Sequence, residues 1–283
     1  MRTSRGGSSR ITRSAFIDTL ARRVHGTWSS CFSGSDVGLP LSAVGALAQV
    51  RGPDAGFARD AFLDLPLDQA AHVLHLLWSR FGSRRPDLAY RVLPLTRWAH
   101  GTGERDQRAT LVAVARTAVK AGLFELTMNP QTRMSVDVFG PLLMELRPKK
   151  ACESNGQFYT PDDVAELLAR FMNSPPQGSA VHESSVGTGA LILALADHAR
   201  AHGVDPADMR WDLVDVDPFA TACLAVNVDL WRLGPDVLIG CGDVLVDDWR
   251  DRALYERDLG IQIQKWQPLH RFITSSRTYA SAV

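Results

Sequence analysis

Apolar positions recur at spacings of three and four through the first half of the chain, and strands alternate with helices in the second half. In Asp68–Trp78 the stripe is Ala71, Leu74 and Trp78; in Ala109–Leu123 it is Leu111, Ala115, Ala118 and Leu123. Breaks at Gly52-Pro53, Gly82–Pro86 and Gly101–Gly103 separate such segments. Ser14 to about Leu146 is therefore expected to be helical, ending in Val136–Leu146 (VDVFGPLLMEL). The polar Arg147-Pro148-Lys149-Lys150 that follows marks the expected domain boundary. Residues 1–13, rich in Ser, Arg and Gly, are expected to be a disordered tail.

The pattern changes at Thr160-Pro161-Asp162-Asp163, a helix start with a capping hydroxyl, a proline at the first position and two acids near the positive end. Val164, Leu167, Leu168, Phe171 and Met172 then predict an inward-facing stripe. Ser179–Glu183 reads as a short strand and Ser184–Gly189 as a glycine turn, before a helix that opens ALILALA. Strand, tight turn and buried helix make the first unit of a doubly wound fold. The second unit is the strand Trp211–Asp217 with a helix from Pro218 to Leu233; the third is Asp236–Ile239 followed by Gly240-Cys241-Gly242-Asp243.

Carboxylates stand at all three strand ends: Glu183, then Asp215 and Asp217, then Asp243. Taken singly, each is more often a helix cap or a solvated turn residue. In succession they point to a ligand with cationic and hydroxyl groups. Glu183 just before the turn would repel a phosphate, and Asp215 and Asp217 lie on opposite strand faces, so only one need hold a ribose. The turn is neither a GxGxxG nor a GK(S/T) loop, which disfavours dinucleotides and nucleoside triphosphates.

Totals add exclusions rather than a function. Among 283 residues, 45% are hydrophobic and 22% charged, with 31 basic and 31 acidic side chains, so bulk charge makes no case for nucleic acid. No apolar run approaches the roughly 20 residues of a membrane span. Cys31, Cys152, Cys223 and Cys241 form no CxxC pair, and His72 with His75 lacks a third ligand. No metal site is expected, and a reducing cytoplasm is the default.

The ordered motifs over residues 137–247 resemble those of the adenine-N6 DNA methyltransferases of the type I restriction–modification kind. GQFYTP leading into VAELLARFM is similar to that family's cofactor clasp, ESSVGTGALIL to its glycine loop, DVDPFATACLAVNVDLWRLG to its second acidic motif and GDVL to its third. The resemblance implies an α/β protein: a helical N-terminal domain (14–150), then a Rossmann-like methyltransferase domain (151–283), truncated before its last strands. It implies S-adenosylmethionine as cofactor, with Phe158, Tyr159, Thr160 and Pro161 packed around it. Glu183 and the loop Gly187, Thr188, Gly189 would hold the methionine portion, Asp215 (or Asp217) the ribose and Asp243 the adenine. DNA, and a specificity or restriction subunit, are the implied partners.

The chain departs from the family in two places. Glu-Ser stands where Asp-Pro is usual in the loop. The catalytic tetrapeptide (Asp/Asn)-Pro-Pro-(Tyr/Phe), whose ring stacks on a flipped base, does not occur. Trp266-Gln267-Pro268-Leu269, after the alternating Ile261–Gln264, lies near its expected place and offers the Gln267 amide but has Leu269 where the stacking ring belongs; Asn173-Ser174-Pro175-Pro176 lies ahead of the glycine loop and reads as a helix stop. The catalytic residues therefore stay unassigned, and a relative that binds cofactor without methyl transfer is the alternative.

Overall fold

Between Gly6 and Leu146 every regular element among the described residues is helical. The computed structural model describes residues 6–31, 36–100, 105–147, 160–172, 175–246 and 248–280. Helix α1 (Gly6–Cys31) buries Ile17, Leu20, Ala21, Val24 and Trp28, an i, i+3, i+4, i+7, i+11 stripe. It starts at Gly6, inside the stretch expected to be a disordered tail. Next come α2 (Gly38–Leu47), α3 (Ala55–Leu63), α4 (Leu67–Arg84), α5 (Leu93–His100), α6 (Arg105–Lys120), α7 (Leu123–Thr127), α8 (Pro130–Arg133) and α9 (Phe139–Leu146). Helix α2 is buried all round, and its Ser42 hydroxyl receives the indole N–H groups of Trp78 and Trp98 at 2.9 and 2.7 Å.

The second half supplies α10 (Asp162–Phe171), β1 (Ala180–Glu183), α11 (Ala190–Ala201), β2 (Arg210–Asp215), α12 (Pro218–Trp231), β3 (Val237–Cys241) and α13 (Trp249–Ala280). The strands form one parallel sheet in the order β1-β2-β3, with Glu183 opposite Leu213 and Asp215 opposite Cys241. Trp211, Leu213, Val237 and Ile239 face the main core, while Val214 and Leu238 face Trp249 and Ala253 of α13. The main core is one cluster running from Ile17 to Ile239, across the segment expected to divide two domains. Helix α12 makes the connection, touching α2, α5 and α9 on one side and β2 and β3 on the other.

Several expectations change. The apolar stripe of α10 is not turned inward: Leu167 and Phe171 are 53% and 78% exposed, and Ala165 and Ala169 are buried instead. The small side chains let α10 lie close on α11, which leaves the larger ones on the far side. Thr160 makes no cap; Pro161 occupies that position, and the helix begins at Asp162. Ile261–Gln264 and Trp266–Leu269, expected near a fourth strand, belong to helix α13. No helix among the described residues is long and apolar enough to cross a membrane.

Gly240 lies on the α13 face of the sheet, where an added Cβ would overlap the Trp249 ring. Gly240→Ala should displace that ring and cost about 1–3 kcal/mol, since overpacking forces off-rotamer shifts. Urea unfolding, read with tryptophan fluorescence, measures both.

Candidate functional site

The parallel register sets Glu183, Asp215 and Asp243 in a rising series along one end of the sheet. Glu183 ends β1, Asp215 ends β2 two residues beyond Glu183's level, and Asp243 lies two residues past β3. Neighbouring strands stand roughly 4.8 Å apart, so carboxylates at adjacent ends can serve one small ligand. Glu183 Oε1 accepts from the Ser185 N–H at 3.1 Å, and Asp243 Oδ1 accepts from the Leu245 N–H at 2.9 Å.

The turn between β1 and α11 is tied to β2 twice. The Val186 N–H donates to the Val214 carbonyl at 3.0 Å, and the Gly187 N–H donates to Asp215 Oδ2 at 2.7 Å. Asp215 Oδ1 also accepts from the Asp217 N–H at 2.9 Å, so the carboxylate lies fixed against the loop while staying half-buried.

The two loop glycines are needed for different reasons. Gly187 (φ +56°) has open space where a Cβ would stand, so its bare face borders the site. Gly189 (φ +100°) faces inward, where a Cβ would stand 2.7 Å from Leu224 and 2.9 Å from Trp231. Thr188, between them, is buried and turned away from the strand ends.

The destination of Thr188 is a residue that sequence reasoning did not single out. Its hydroxyl donates to Asp137 Oδ2 at 2.7 Å, and Asp137 Oδ1 accepts from Asn227 Nδ2 at 2.9 Å. The Phe139 and Gly140 N–H groups donate to the same oxygen at 2.9 and 3.1 Å, capping α9. Asn227 gives its second Nδ2 proton to the Thr188 carbonyl at 2.9 Å. The Trp231 indole donates to the Val136 carbonyl at 2.8 Å. Burial pushes the Asp137 carboxyl above the usual carboxylate range, against the pull of its four donors.

Asp217 is committed elsewhere. It caps α12 through the Phe219 N–H at 2.9 Å and pairs with Arg147 Nη1 at 2.6 Å, with little exposure of its own. Thr160 is half-buried and Pro161 exposed at the start of α10; Phe158 and Tyr159 lie outside the described residues. No group of three or more His, Cys, Asp or Glu among the described residues could hold a metal.

The strand ends suit a ligand with a cationic group and hydroxyls. The family model described as N-6 DNA Methylase matches residues 135–256. The matched segment, less than half of the chain, is similar to that family. The segment opens at the Asp137 cap of α9 and closes within α13, so it takes in the strand ends, the glycine loop and Asn227. Among solved structures, the chain is similar to the type I restriction-modification system methyltransferase subunit from Streptococcus thermophilus. That likeness has a TM-score of 0.45 at 14% identity and covers 82% of this chain and 59% of that one. No curated protein matches the chain.

Asp137→Ala would strand Thr188, Asn227 and two backbone N–H groups in the core. It should cost about 3–5 kcal/mol by analogy with broken buried pairs. Asp137→Asn keeps the oxygen that accepts from Asn227, Phe139 and Gly140 and turns an amide donor toward Thr188 Oγ1, whose hydroxyl can accept it, without the charge. Because the folded pKa lies above the unfolded value of about 4, ionisation costs wild-type stability as pH rises through that interval. The gain of Asp137→Asn over wild type should therefore be absent in acid, appear above pH about 4 and level off only once the pH has passed the raised folded-state pKa. Urea midpoints measured across that range test this.

Proposed function

We propose that the carboxyl ends of β1, β2 and β3 bind S-adenosylmethionine, and that the chain serves an adenine-specific N6 DNA methyltransferase of a restriction–modification system. The observation that carries the reading is the rising series Glu183, Asp215, Asp243 beside the open face of Gly187. The donor set fits the cofactor: carboxylates suit an α-ammonium, ribose hydroxyls and an adenine amino group, and a glycine without a Cβ admits the methionine chain. When bound, the cofactor supplies an electrophilic methyl group.

The chain's own groups bind and orient. Glu183 faces the ammonium. Asp215, held by the Gly187 and Asp217 N–H groups, takes the ribose hydroxyls, which leaves Asp217 to cap α12. Asp243 receives the adenine amine. The Thr188 side chain acts through Asp137, positioning the loop without touching the ligand. Thr160 and Pro161, at the start of α10, pack against the cofactor. The Rossmann-like reading follows from the same β-α-β-α-β order of parallel strands. DNA is the proposed substrate, and a specificity or restriction subunit the proposed partner.

A second reading, cofactor binding without methyl transfer by this chain alone, has its own support. The stretch after Asp243 that was expected to carry the target-base motif is the helix α13. Incubation with labelled cofactor and adenine-containing duplex separates the two readings. Label on adenine establishes transfer; unlabelled DNA despite proven cofactor binding leaves the second.

Calorimetric titration with S-adenosylmethionine tests the pocket itself, and no heat from folded protein would sink both readings. Gly187→Val puts a branched side chain into the open space at a left-handed position. It should abolish measurable binding while the rest of the core still unfolds cooperatively. Glu183→Gln should weaken binding by roughly tenfold, as expected for one charge-assisted contact.

A further inference from the structure

The ends of the strands opposite the carboxylates form a second concavity that the methylase reading does not use. A cleft of about 770 Å³ opens there, walled by Ala207 ahead of β2 and by Gly234-Pro235 ahead of β3. Five arginines line it, Arg51, Arg84, Arg85, Arg133 and Arg232, against one carboxylate, Asp229. They come from the segment after α2, the end of α4, helix α8 and the end of α12, so the fold gathers them from four places.

The carboxylates at hand do not consume this charge. Arg84 clasps Asp229 through Nε at 3.3 Å and Nη2 at 2.8 Å, and Arg51 shares the same oxygen at 3.4 Å. Arg85 is matched by Asp87 at 2.7 Å. Arg133 is only 5% exposed, spends Nη1 on the Thr127 carbonyl at 3.1 Å, and has a buried Nε with no partner. Arg232 has no carboxylate within ion-pair distance among the described residues; it closes α12 in the left-handed region, with φ 56°. Burial and the neighbouring Arg133 cation hold the Arg51 guanidinium down to about 10.

A cation at the end of α12 would satisfy that helix's dipole, but one suffices. The surplus around an open, proline-walled cleft is an anion site. Guanidinium forks converging from several segments match the several oxygens and the multiple charge of phosphate better than an isolated carboxylate. The geometry points to a phosphate-binding cleft at the amino ends of β2 and β3, built by Arg51, Arg84, Arg133 and Arg232, separate from the proposed cofactor site. The phosphates come either from a nucleic-acid backbone or from a free polyphosphate. The inference stands whether or not the chain binds S-adenosylmethionine.

The test uses the full chain with tripolyphosphate, titrated calorimetrically at low ionic strength, and a labelled DNA duplex followed by anisotropy. The double variant Arg84→Gln/Arg232→Asn leaves Arg51 on Asp229, and Asn at position 232 suits its left-handed backbone, so the variant should still fold and unfold in one cooperative transition at a lowered midpoint. Tripolyphosphate affinity should fall at least tenfold in that variant, and wild-type affinity should fall steeply with salt. If duplex DNA displaces tripolyphosphate and loses affinity in the same variant, the source is a nucleic-acid backbone. If DNA binding is unchanged while tripolyphosphate binding is lost, the source is a free polyphosphate. No tripolyphosphate binding by wild type, unchanged affinity in the double variant, or tighter binding of polyglutamate than of tripolyphosphate would each overturn the assignment.

Discussion

The carboxylate of Asp137 is the contact on which the candidate site depends. It is fully buried and accepts from the Thr188 hydroxyl, the Asn227 amide and the Phe139 and Gly140 backbone. Those donors belong to three separate segments: the glycine loop, α12 and the start of α9. A buried charge is tolerated only when its hydrogen bonds are made, so the segments must meet in one arrangement or lose much of their stability. Pulling Thr188 inward has a local consequence. The glycines on either side adopt left-handed conformations, and the Gly187 N–H is left to bind Asp215. The position of Asp215 is in this way coupled to a residue outside the turn and outside every strand.

Helix α12 carries that coupling through the molecule. Eleven of its residues are buried, including Asn227 with no exposure, because it lies between the helices of the first half and the sheet. A helix buried all round cannot rely on one apolar stripe for its orientation. Polar contacts at defined places set it instead. Asp217 caps its start and pairs with Arg147; Asn227 fixes its middle; Asp229 meets Arg84 and Arg51 near its end.

Periodicity made most of this architecture legible. The three parallel strands with their intervening helices, and the carboxylates that end them, follow from alternation and from the Gly and Pro breaks. What escaped was any contact made over a long separation. The expected helix Val136–Leu146 takes in Asp137, which instead stands ahead of α9 and accepts from its first N–H groups, and nothing in its neighbours announces a hydroxyl 51 residues away. Asn227 did leave a signal, an amide amid the apolar run LAVNVDLW, since such a residue in a helix interior either faces water or has buried partners. The α10 stripe misled for another reason: amphipathicity identifies a helix with two faces but not the face its neighbour selects. Here α11 takes the alanine side. The pattern Ile261–Gln264 misled because four residues cannot separate alternation from a helical surface, and length then decides for the helix.

The two ends of the sheet carry opposite charge, and the length of α12 fixes their separation. Its 14 residues span about 21 Å at the usual helical rise. Its dipole favours Asp217 at the first turn and Arg232 at the last, so each end has a local reason for one charge of that sign. Both ends exceed that need, with carboxylates on three adjacent strand ends and five arginines around the opposite cleft. Single capping charges would stabilise the helix as well without leaving an unpartnered Nε on Arg133 or crowding Arg51 with cations. At the arginine cleft, burial and the Arg133 cation penalise the charge of Arg51. At about 21 Å apart, the two ends are too far for one ligand the size of a nucleoside, so the two proposed sites are separate.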